Sequence, residues 1–193
     1  MSERMRQRAN KALSKWNACS LLHNKIEITK FDAARRQLET AVTLWFHDAD
    51  PVSIHVLAVS AHEVLRAINK SRGGKPMALE NLNLIRLEYQ EEVSELLVEH
   101  YNFFKHGAKD TQQTTWFAPV VNQAFLLDAV EAYTQIAGQI TPLFGAFRAY
   151  LSVHQPDYFQ NRPQNVVTAD MVSLSKGQFF SEFLPVAFRH GHE

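Results

Sequence analysis

Four side chains of one expected long helix carry the chemistry that this sequence offers most clearly. They are Glu95, Glu99, Asn102 and His106, spaced by four, three and four residues. That spacing puts them on one polar stripe beside an apolar stripe of Val93, Leu96, Leu97, His100 and Phe104. Gly107 ends the pattern as a left-handed cap, which leaves His106 in the last turn next to Lys105. A histidine there is favoured as a cation by the helix dipole and can exchange a proton near neutral pH. The plain alternative is an ordinary solvated face. His100, between Leu97 and Phe104, reads instead as a buried, hydrogen-bonded core residue.

A second set lies upstream. His55, His62, Arg66 and Asn69 are spaced by seven, four and three residues. They form a polar seam flanking the apolar stripe Leu57, Ala61, Val64, Leu65 and Ile68. Were this seam to face the end of the long helix, His62, Arg66, Asn102 and His106 would converge. His55, His62, Glu95, Glu99 and His106 are all acceptable metal ligands. The paired Glu-x-x-His repeats of di-iron bundles and the His-Glu-x-x-His pattern are absent, so the reading assigns no metal and no cofactor, and a metal-binding helical bundle ranks third among the alternatives. Cys19 is the only cysteine, which excludes an internal disulfide and suits a small apolar residue better than a nucleophile.

The segment Tyr101-Asn102-Phe103-Phe104-Lys105-His106 resembles the signature of the HEPN superfamily. Its members are helical bundles, many of them ribonucleases in toxin–antitoxin, phage-defence and RNA-processing systems. The signature is an Arg, usually followed by a polar residue such as Asn, with His after four to six intervening positions. Asn102 and His106 match, while Tyr101 stands where the family has Arg. The resemblance implies metal-independent RNA cleavage. His106 would act as base or acid on the ribose 2′-hydroxyl, and a cation (Lys105 or Arg66 in place of the Arg) would stabilise charge on phosphate. It also implies a homodimer with RNA, or a cognate antitoxin or other protein, as partner. With Tyr101 in the Arg position, an inactive RNA-binding or partner-binding relative is an equal expectation. Asn102 and His106 are thus the catalytic candidates, with Tyr101, Lys105, Arg66 and His62 around the substrate.

The elements that must position these residues read as all-α, an antiparallel bundle of about five to six helices. Apolar residues make up 46% of the 193, aromatics 11%, and Gly and Pro number 7 each. This composition suits a globular chain of long regular elements. Helices are expected over about 32–47, 51–70, 88–106 and 120–137, then to about 151, with one more over about 169–183. Asp50-Pro51 is a helix start, and Ser71-Arg72-Gly73-Gly74-Lys75-Pro76 a loop. Residues 1–28 form a basic arm or short helix, 29–155 the core, and 156–193 an extension packed on it.

Twenty basic residues balance twenty acidic ones, so a broad electrostatic footprint for nucleic acid is absent and any basic patch must be local. Charges fill the N-terminus where a signal peptide needs an apolar core. No apolar run approaches the roughly 18 residues of a membrane span. The expected location is the cytoplasm. A competing reading is a non-enzymatic homodimeric interaction module, suggested by Trp45, Trp116, Phe117, Phe179, Phe180 and Phe183 with no complete catalytic motif.

Overall fold

A computed structural model describes residues 3–16, 25–80, 100, 102–105, 112–158 and 169–190. The chain is all-helical, and no strand occurs among the described residues. The basic N-terminal stretch is helix α1 (Glu3–Trp16), with residues 3–11 exposed.

Helix α2 (Lys30–Phe46) starts where a reciprocal cap is available. The Thr29 hydroxyl accepts from the Asp32 amide at 3.0 Å, and the Asp32 carboxylate accepts from the Thr29 amide at 3.3 Å. Its stripe of Ala34, Leu38, Ala41, Val42 and Trp45 is buried as the spacing predicts, with Phe46 added. Helix α3 (Pro51–Ser71) starts at Asp50, whose carboxylate accepts from the Ser53 amide at 2.7 Å, while Pro51 occupies a position that needs no N–H.

After α3 the chain turns through Gly73, at φ 72°, and Gly74. A Cβ on Gly74 would sit 1.8 Å from Asn69 Oδ1, so only glycine lets the Asn69 amide reach the Lys75 carbonyl at 2.7 Å. A 3₁₀ turn, Ala78–Glu80, follows. Helix α4 (Val121–Ala137) ends at Gly138, φ 75°. Helix α5 (Pro142–His154) is capped by Thr141.

The single C-terminal helix expected over 169–183 is instead two, α6 (Ala169–Ser173) and α7 (Lys176–His190). The break comes at Ser175, whose side chain and amide both bond Gln178 and so restart the helix.

Helix α3 packs between α2 and α4, and α7 lies on α5. Trp45, Phe147, Tyr150, Phe179 and Phe46 join in edge-to-face contacts at 5.0–6.2 Å, and Phe179 stacks on Phe183 at 4.6 Å. The aromatics that suggested an interaction surface are therefore largely spent inside: Trp45 and Phe179 are buried, and Phe180 and Phe183 pack against the core. Trp116 is the exception, 97% exposed.

Candidate functional site

Of the four polar residues of the α3 seam, His55, His62 and Asn69 are buried and only Arg66 is partly exposed; of the apolar stripe, Ala61 and Leu65 are buried as expected, while Leu57, Val64 and Ile68 are only half-buried. The helix is rotated from the expected setting because α4 presents polar partners to it. Asn122 and Asp128, themselves buried, supply two rungs across the α3–α4 interface.

In the first rung, His55 Nδ1 lies 2.8 Å from Asn122 Oδ1, while Asn122 Nδ2 donates to the Pro51 carbonyl at 2.9 Å. That second bond fixes the amide orientation, so Nδ1 of His55 carries the proton. Its Nε2 then points without a partner into a nest of aromatic edges, with Phe104, Phe117 and Phe125 at 5.1–5.7 Å between ring centroids. Burial there pushes the His55 pKa below its ordinary value, outweighing the Asn122 bond.

In the second rung, His62 Nε2–H donates to Asp128 Oδ2 at 2.8 Å. The same carboxylate accepts from the Ala78 amide at 2.8 Å and the Leu79 amide at 3.1 Å, tying the 3₁₀ turn to α4. Phe125 stands between the rungs, edge-on to both imidazoles at 5.5 and 5.4 Å.

These rungs place the helical residues 102–105. His100 is buried, as its position on the apolar stripe predicts, and its Nε2–H donates to the Trp116 carbonyl at 2.7 Å. Phe104 meets Phe117 edge-on at 5.2 Å and the His55 ring at 5.7 Å. One side of the segment is thereby clamped. Asn102 and Lys105, three residues apart and so on one side of the helix, are exposed.

Of the candidate residues, the structure gathers Asn102 and Lys105 on one exposed edge. It separates them from Arg66. The segment docks at His55, and Arg66 lies eleven residues further along α3, about 16 Å by helical rise. There Arg66 pairs with Glu63 at 2.7 Å and Glu80 at 3.6 Å. His62 faces Asp128 inside the protein. Tyr101, His106, Glu95 and Glu99 lie outside the described residues, so the expected convergence on His106 does too. Among the described residues, no three His, Cys, Asp or Glu side chains group as ligands for one ion. No described helix is long and apolar enough to cross a membrane.

Two concavities flank the rungs. A groove of about 770 Å³ opens beside the second, with Met77, Leu79, Leu127 and Tyr158 on its wall; its Asp128, Glu131 and Arg148 are already paired. A smaller hollow, about 390 Å³, lies beside the first rung and the Pro119-Val120 turn.

Sequence reasoning missed Asn122 and Asp128. The signal was present: Asp128 sits inside Phe125-Leu126-Leu127-Asp128-Ala129-Val130, a carboxylate on a stripe that otherwise must be buried. Set against protein-family models, curated proteins and solved structures, the chain matches none.

Proposed function

We propose that this chain is a HEPN-like protein that engages RNA at the exposed edge of the 102–105 segment, in a bacterial defence or toxin–antitoxin setting. The observation that supports the reading most is the division of that segment. Phe103 and Phe104 are half-buried and His100 is locked to Trp116, while Asn102, the polar position of the signature, and Lys105, which lies within it, are left exposed on a braced helix end. A ligand site needs a fixed backbone beneath an exposed polar edge. Lys105 is the cation of that exposed edge, while Arg66 pairs with Glu63 and Glu80 on another turn of α3. His106 supplies proton transfer in the active form; with Tyr101 in the Arg position, an inactive RNA-binding form is the other outcome of the same reading. The reading includes an antiparallel helical bundle and a cytoplasmic homodimer.

The test is incubation of the purified chain with structured RNA in EDTA, alongside His106→Ala and Lys105→Ala. Cleavage lost in His106→Ala marks the nuclease. Binding without cleavage, weakened in Lys105→Ala, marks the inactive relative. Absence of both cleavage and binding ends the reading.

A second reading is favoured by Trp116. An indole exposed to 97% beside exposed Val120 is a feature of contact surfaces rather than of free ones. On this reading the chain is a self-associating helical module, and light scattering that finds only monomer at high concentration refutes it.

A further inference from the structure

We infer that two copies of this chain associate by exchanging Trp116, the indole of each entering the hollow beside Val120 of the other. The inference rests on the self-association reading and names the contact responsible. The knob is rigid at its base and free at its tip. The Trp116 carbonyl is held by His100 at 2.7 Å, and the next ring, Phe117, is wedged against His55, His100 and Phe104 at 5.1–5.2 Å. The indole itself is 97% exposed, so it does not fill its own hollow. A preorganised loop presenting an aromatic anchor loses little freedom on binding.

The hollow suits that side chain. It holds about 390 Å³ and is lined by Trp45, Ile54, Pro119, Val120, Gln123 and Lys176. Pro119 is three residues from Trp116, at most about 10 Å of chain. Knob and hole therefore share one face, the arrangement that a two-fold contact requires. The chemistry matches as well. Ile54, Pro119 and Val120 give an apolar wall. Lys176 Nζ, paired with Asp48 at 2.6 Å, lies 4.3 Å from the Trp45 ring centroid, and a second indole face would meet the same cation. Gln123 Oε1 accepts no hydrogen bond, and the indole N–H is a donor without acceptor capacity, so each answers the other after rotation of the Gln123 amide.

The experiment is sedimentation equilibrium on the full chain, on Trp116→Ala (knob removed), on Val120→Arg (hole blocked), and on an equal mixture of the two variants. Both positions are exposed, so circular dichroism should match the wild type, as should melting at concentrations dilute enough for all chains to be monomeric. The wild type should dimerise, and each variant should weaken dimerisation by about 30-fold or more, the effect of removing a central anchor. The mixture should recover dimer, because one intact knob meets one intact hole. A wild-type chain still monomeric at about 200 µM overturns self-association and the exchange together. A wild-type dimer undisturbed by either variant, or a mixture no better than its components, leaves self-association standing and overturns the exchange.

Discussion

Replacing Asp128 by alanine tests whether the buried rungs hold the fold. The substitution removes the acceptor of three hydrogen bonds, from His62 and from the Ala78 and Leu79 amides. It strands the His62 Nε2–H, since His62 is 4% exposed and so has little access to water. A stranded buried donor costs about 1–3 kcal/mol, and hydrogen bonds to a charged group contribute about 1.5–3 kcal/mol each. The two amides lie near the surface of the 74–80 connection and regain water, so they add at the low end. The expected loss is about 3–5 kcal/mol, the range for breaking a buried pair. Against a typical total of about 5–15 kcal/mol, the variant is left marginal. Urea unfolding reads this directly, provided the slope is unchanged. Asp128→Asn keeps one accepting oxygen without the charge and should lose about half as much. Asp128→Ala and His62→Ala together should cost less than the sum of the two single losses, because each alone already forfeits the shared bond, while the cavity left by the imidazole adds in either background. An alanine variant within about 1 kcal/mol of wild type, or full additivity of the two substitutions, would refute the reasoning.

Stability should also depend on pH through His55. Its pKa is lowered in the folded chain, so below the ordinary value of 6.5 the unfolded chain binds a proton that the folded chain resists. Unfolding free energy should therefore be level above that value and fall as pH drops below it. His55→Phe should be less stable near neutrality but show a shallower fall in urea titrations between about pH 8 and 5. His154, lowered by burial, contributes with the same sign. Gly74→Ala should lose about 1–3 kcal/mol in thermal unfolding, because its Cβ collides with Asn69. Gly138→Ala meets nothing within 4 Å yet should lose about 1–2 kcal/mol from its positive φ alone. Asn102→Ala and Lys105→Ala, both exposed, should melt as wild type within about 0.5 kcal/mol, so any change in RNA retention on a filter reports contact rather than folding.

The readable part of this chain is where one local rule decides. The Thr29 and Asp50 caps, Pro51 in a first turn and the α2 stripe each follow from neighbours within four residues. The α3 setting does not. Its periodicity admits two rotations, one burying Leu57, Val64 and Ile68 more deeply, the other burying His55, His62 and Asn69. Only Asn122 and Asp128, 67 and 66 residues downstream of the histidines they meet, decide between them. A buried imidazole without an acceptor is unfavourable, and so is a buried carboxylate without donors. Together on facing helices they cancel each other's cost, but only at one rotation and one register. The same long-range pairing governs the candidate site. Asn102 and Lys105 were visible as polar positions, yet their outward placement depends on His55 receiving Phe104 and on His100 holding Trp116. Arg66 was excluded by distance along a helix, a consequence of which turn of α3 the segment docks against. Polar groups on apolar stripes here specify orientation more than they add stability, and the exposed edge inherits its geometry from them.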